Sequence, residues 1–102
     1  MFNLLSGLFG PKTDFKDLVN KGAIIIDVRT KSEFSSGQIP QSINIPVDQI
    51  QSNIKKIAAY KKPIITCCAS GMRSSAAASA LTKAGIEAYN GGPWSSLQQA
   101  IR

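Results

Sequence analysis

"KPIITCCASGMRSSAAASALTKAG", residues 62–85, passes from an apolar run through a small-residue loop into an alanine-rich stretch. KPIITC (62–67) has the length and β-branched content of a strand buried on both faces. Residues 73–85 read as a helix by their alanines, with Gly85 as its stop. A buried strand that feeds a helix is half of a parallel unit, so the flanks should hold more of the same.

They do. Upstream, TDFKDLVNKG predicts a helix with Thr13 as N-cap, Phe15 and Leu18 on one face and Gly22 as stop. AIIID (23–27) reads as a second buried strand. TKSEF has capping-box spacing from Thr30 to Glu33, with Gly37 as terminator. INI (43–45) is a short strand ending at Pro46. VDQIQSNIKKI then puts Val47, Ile50, Ile54 and Ile57 on one helical face. Downstream, IEAYN is a further strand and WSSLQQAI a closing helix. Short buried strands alternating with helices predict an α/β fold: a doubly wound, mainly parallel sheet of four or five strands, with helices on both faces. No strand is legible before Pro11, which favours four.

The chain of 102 residues divides into an apolar arm, 1–12, and one domain, 13–102. MFNLLSGLFG is too short to span a bilayer. It has no basic residue before its apolar run and no small-residue cleavage site, so it is not expected to be a signal peptide. It carries no reactive group and is expected to pack on the domain and be dispensable for chemistry. No membrane association is expected.

Net charge is +6, but the basic residues are scattered apart from Lys55, Lys56, Lys61 and Lys62. With Tyr60 as the one aromatic among those four, a nucleic-acid platform is not expected; a solvated face is. There is no histidine, which excludes Cys-His and Ser-His-Asp catalysis and histidine-containing zinc sites. Two cysteines alone cannot fill a zinc site, so no such metal is expected. As neighbours they also make poor disulfide partners, since adjacent Cα atoms lie about 3.8 Å apart and disulfides favour about 4.4–6.8 Å. Both read as thiols of a reducing compartment, the cytoplasm, and the domain as a monomer.

Ligands of open parallel sheets bind beyond the carboxyl ends of the strands, where CCASGMR lies. N–H groups of a tight loop opening a helix form an anion cradle, and Gly71 allows the turn. A cysteine at its mouth needs no histidine to become a thiolate. Counting from Cys67 gives C-x5-R, the spacing of a cysteine phosphatase. Yet Thr66 precedes it where such loops carry histidine, and the glycine falls one place late. Cys67 continues the apolar strand and reads as a buried thiol. Cys68, with C-x4-R to Arg73, is the cysteine that faces the cradle. Period-two alternation puts the two sulfurs on opposite faces.

CASGMRSSAAASALTKAGIEAYNGG resembles the active-site loop and following helix of the rhodanese family, through Cys68, Gly71, Arg73, Gly91, Gly92 and Trp94. IIDVRTKSEFSSGQIPQSINIP is similar to that family's other signature, matching at Asp27, Arg29, Glu33, Gly37, Ile39, Pro40, Asn44 and Pro46. The likeness covers residues 13 to 101. It implies a rhodanese-like fold and a sulfurtransferase in which Cys68 carries a persulfide by double displacement, with no metal or organic cofactor required. The implied substrate-binding loop is Ala69, Ser70, Gly71, Met72 and Arg73, with N–H groups of 69–73 holding the terminal sulfur. The implied partners are a small anionic sulfur donor, a thiol or cyanide acceptor, and a sulfur-relay protein. The loop has the six-residue, sulfur-sized length; relatives that act on phosphate have one residue more. The alternatives are a non-catalytic binding or regulatory module, and a cysteine phosphatase or arsenate reductase.

Two positions depart from the family pattern. Gln38 stands where histidine is usual, and Ala69 where members that use thiosulfate well often have a basic residue; weak use of thiosulfate is therefore expected. Asp27, Arg29 and Glu33 read as supporting residues, with Arg29 in reach of Glu33 four positions on. For Arg73 two roles stand side by side: steering an anionic donor, or pairing with a carboxylate as the helix begins. Ser70 can donate to the persulfide or simply fit the loop. Trp94 reads as core or as pocket rim.

Overall fold

A computed structural model describes residues 13–102. The N-terminal arm, and any strand before Pro11, lie outside the described residues.

The elements follow in the order α1 (Phe15–Asn20), β1 (Ile24–Asp27), α2 (Lys31–Ser35) and β2 (Ile43–Asn44). Two 3-10 turns (Val47–Gln49 and Gln51–Asn53) lead into α3 (Ile54–Ala59), β3 (Ile64–Cys68), α4 (Met72–Lys83), β4 (Ala88–Pro93) and α5 (Trp94–Ala100). Among the described residues the sheet has four strands, all parallel, in the order β2-β1-β3-β4. No helix there is long and apolar enough to cross a membrane.

Alternation along β1 and β3 splits the core into two layers. Ile26, Ile64 and Cys68 face α3 and α4, with Val28, Ile57 and Leu81 in the same layer. Ile25, Ile65 and Cys67 face the other way, against Leu97 and the partly buried Phe15, Leu18 and Trp94. Helices thus cover both faces, as expected of a doubly wound sheet. Ile26, Ile64 and Ile65 are fully enclosed, each adding roughly 1.5–3 kcal/mol.

Of the boundaries that differ from the sequence reading, three have a plain local reason. Asp14 caps α1 in place of Thr13, its Oδ1 accepting from the Asp17 N–H at 3.0 Å; a carboxylate also suits the positive end of a helix. The helix expected from Val47 starts only at Ile54. Ser52 Oγ and Asn53 Nδ2 both donate to the Gln49 carbonyl, and such side-chain bonds compete with the α-helical ladder. The predicted face survives, with Ile50 and Ile57 buried and Val47 and Ile54 packed on the core. The last strand begins at Ala88, not Ile86, because Ile86 donates its N–H to Leu81 O and Gly85 to Thr82 O. Those two bonds close α4 in a Schellman motif.

That strand also runs on through Gly91 and Gly92. Thr66 pairs with Asn90 but Cys68 with Pro93, so β4 holds one residue more than β3 over this step. The result is a bulge beside the cysteine loop. A Cβ on Gly91 would lie 2.7 Å from Thr66 O, 2.8 Å from Ile65 Cγ2 and 2.9 Å from Leu97 Cδ2. The oxygen is backbone and cannot swing away. Gly91→Ala is therefore expected to cost roughly 1–3 kcal/mol by overpacking, read as a lower urea midpoint. A wild-type midpoint would mean that the bulge yields freely.

Candidate active site

From β1 the chain turns to β2 on one side and later returns to β3 on the other. The carboxyl ends of β1 and β3 therefore border the topological switch point, the place where open α/β sheets generally bind their ligands. Cys68 is the last residue of β3 and Arg29 lies just past β1.

Cys68 is enclosed, and its Sγ accepts from the Gly71 N–H at 3.0 Å and the Ser74 N–H at 3.3 Å. Gly71 caps α4 at φ 103°, a backbone region that strongly favours glycine. This bends the loop so that N–H groups at the helix start converge on the sulfur. Ser74 Oγ is also 3.3 Å from Sγ and donates to Asn90 Oδ1 at 2.6 Å. A hydroxyl has a single proton to give. With Cys68 protonated, the thiol donates to Ser74 Oγ and the hydroxyl to Asn90. With Cys68 ionised, the hydroxyl can turn to sulfur, while Asn90 Oδ1 keeps the Gly92 N–H at 2.9 Å. Burial works against the thiolate. The Ser74 hydroxyl and the N–H groups of Ser74, Gly71 and Ser70 outweigh it and lower the Cys68 pKa.

Cys67 has the opposite setting. Burial foremost, then the charge of Asp27, pushes its thiol up to about 12. It lies in the other core layer, among Ile25, Ile39, Ile65 and Leu97. Both cysteines are free thiols.

The supporting residues form two ion pairs. Asp27 is enclosed and accepts from Arg29 Nε at 3.0 Å, Nη2 at 2.7 Å and the Arg29 N–H at 3.0 Å. Arg29 also donates to the carbonyls of Glu33 and Gly37, and its guanidinium lies 4.7 Å from the centre of the Trp94 ring. Trp94, half-buried, is thus both a core residue and the floor under Arg29. The expected reach of Arg29 to the Glu33 side chain is not made, because Asp27 is nearer and Arg29 meets only the Glu33 carbonyl. The Glu33 carboxylate goes instead to Arg73, at 2.7 Å to Nη1 and 3.0 Å to Nη2. Of the two roles open for Arg73, the structure displays the carboxylate pair. Glu33 also completes the capping box, accepting from the Thr30 N–H at 3.0 Å. Arg73 foremost, then the Thr30 N–H, hold its carboxyl down at about 2.

Of the loop expected from the sequence, Gly71 and Ser70 act on Cys68 through N–H groups, Arg73 is tied to Glu33, and Met72 is 80% exposed. Ala69 brings neither charge nor side-chain polarity. Ser74 and Asn90 were not among the expected site residues.

The sequence model of the rhodanese-like domain matches residues 11–93. The chain belongs to the rhodanese-like domain family. A curated relative, the uncharacterized protein YibN of Escherichia coli K12, is 39% identical over 72 residues, covering 68% of this chain and 50% of that protein. The chain thus spans about half the length of YibN. The thiosulfate sulfurtransferase GlpE of Pseudomonas savastanoi pv. phaseolicola is 33% identical over 76 residues, which cover 74% of this chain and 71% of that protein. Among solved structures, the rhodanese-related protein of Thermoplasma volcanium superposes with a TM-score of 0.68 at 32% identity, covering 86% of this chain and 91% of that one. The rhodanese-like fold expected from the two signatures is the fold found.

Proposed function

We propose that this rhodanese-like domain is a sulfurtransferase that carries sulfur as a persulfide on Cys68. The observation that carries the reading is the convergence of the Gly71 and Ser74 N–H groups on the Cys68 sulfur. Fixed donors aimed at an anion stabilise it without reorganisation. The Cys68 thiolate attacks the sulfane sulfur of a donor. The new S–S bond takes the sulfur, and the donor's remainder leaves with the electron pair of the broken bond, as sulfite from thiosulfate or as a thiolate from a persulfide. The loop N–H groups hold the terminal sulfur anion. A thiol, cyanide or a relay protein's cysteine then attacks that outer sulfur and returns Cys68 as thiolate. This double displacement needs no metal and no organic cofactor. Two free thiols suit a reducing compartment such as the cytoplasm.

Intact-mass analysis after exposure to a sulfane-sulfur donor, with peptide mapping, tests the reading. The expected result is a gain of one sulfur atom on the Cys68 peptide, removed by cyanide as thiocyanate. No gain from either thiosulfate or an alkyl persulfide would overturn it in favour of a binding module.

A further inference from the structure

Each arginine at the carboxyl end of the sheet is already bound to a carboxylate: Arg29 to Asp27 and Arg73 to Glu33. Arg73 is the one cation of the cysteine loop, and both of its terminal nitrogens are engaged by the Glu33 carboxylate. Ala69 adds no charge. Lys31 lines a separate hollow with Phe34, Gln38 and Asn44. The loop around Cys68 thus offers an incoming donor N–H groups and, four residues on, the exposed apolar chain of Met72.

We infer that Glu33 sets donor choice by masking Arg73, so that the site takes sulfur from a persulfide on an uncharged thiol carrier in preference to thiosulfate. The inference rests on the sulfurtransferase reading. Thiosulfate presents a sulfonate dianion and releases sulfite, so an unshared guanidinium beside the loop would favour its binding. A guanidinium already forked onto a carboxylate forms a neutral pair: two of its five N–H donors are taken, and its charge is no longer free to attract a dianion. An alkyl persulfide needs no such cation: only its terminal sulfur enters the cradle, and its carrier rests against Met72. Arg73 is within electrostatic reach of the reacting centre, since the charge of Cys68 contributes, behind Glu33, to raising its pKa. Glu33 stays ionised at physiological pH, its carboxyl held down at about 2 by Arg73 and the Thr30 N–H.

Glu33→Gln tests this with little disturbance. Glutamine keeps the capping box, accepting from Thr30 through its amide oxygen. Its amide nitrogen would face Arg73 Nη2 donor to donor, which breaks that bond and removes the carboxylate charge that neutralises the guanidinium, while the amide oxygen can still accept from Nη1. The comparison is between thiosulfate and 2-hydroxyethyl persulfide as donors, with cyanide as acceptor. Wild type is expected to favour the persulfide. Glu33→Gln is expected to shift the ratio of kcat/KM toward thiosulfate by about tenfold, the scale of one charge-assisted hydrogen bond at a partly exposed site. The change should lie in the thiosulfate KM and not in kcat, and Glu33→Gln/Arg73→Met should abolish it. A loosened helix would instead lower both donors alike. Wild type that prefers thiosulfate, an unmoved ratio, or a gain that survives loss of Arg73 overturns the masking role alone. Failure of wild type to take sulfur from either donor overturns the sulfurtransferase reading beneath it.

Discussion

Cys68→Ser is expected to remove sulfur loading entirely while Cys67→Ser retains it, although the two residues are neighbours. The contrast is one of environment. Cys68 ends β3 on the layer facing α4, where N–H groups of Gly71 and Ser74 meet its sulfur. Cys67 points into the opposite layer, with its thiol pushed up to about 12. A thiolate is the reacting form, so below pH 8 only Cys68 has an appreciable fraction of it. Iodoacetamide should label Cys68 first, and the rate should reach half its plateau below the ordinary thiol pKa of about 8.5. In Cys68→Ser the hydroxyl can keep the same neighbours, so the fold should hold and only the nucleophile is lost. Cys67→Ser places a hydroxyl in an apolar layer and should cost roughly 1–3 kcal/mol of stability with turnover retained. The informative reversal is an inactive Cys67→Ser beside an active Cys68→Ser. That would move the reacting sulfur to the other face and reopen the C-x5-R register.

This opposition was legible because strand periodicity needs only a local sequence. The same holds for the apolar strands, the Thr30–Glu33 capping box and the α4 stop at Gly85. Partnerships that depend on strand order were not. Glu33 and Arg73 are 40 positions apart and meet because β1 and β3 are adjacent. Asn90 reaches Ser74 only because β4 flanks β3, with the bulge beginning just after Asn90. Ser74 itself carried a signal. It is the third residue of α4, and the first turn of any helix has unpaired N–H groups. The arc expected to contact the anion stopped at Arg73, one residue short. The 3-10 turns before α3 were hidden for another reason: apolar spacing reports which side chains are buried, not which hydrogen-bond ladder links them.

Arg29→Met is expected to be the most damaging substitution for stability, at about 3–5 kcal/mol, the cost of breaking one side of a buried ion pair. Asp27 is fully enclosed and Arg29 nearly so. The carboxylate takes its side-chain hydrogen bonds from Arg29 Nε and Nη2. Without the guanidinium, the hydrogen bond left to it among the described residues is that from the Arg29 N–H. Methionine can follow the stem of the arginine across Trp94, so the loss should reflect the stranded charge more than missing volume. The carbonyls of Glu33 and Gly37 lose their donor as well. Against a total stability of about 5–15 kcal/mol for a small domain, such a loss approaches unfolding, so urea titration at low temperature is the suitable measurement. The decisive comparison is a double-mutant cycle. Asp27→Asn/Arg29→Met removes both charges and should cost less than the sum of the single variants. Additive losses, or an Arg29→Met cost below about 1 kcal/mol, as for a surface pair, would show that Arg29 is not what keeps Asp27 in the interior. Arg29 also reaches the loop around Cys68 through Glu33, whose backbone it holds and whose side chain holds Arg73. Arg29→Met protein that remains folded should therefore also shift its donor preference toward thiosulfate, as is expected of Glu33→Gln, because the backbone of Glu33 is held by the same arginine.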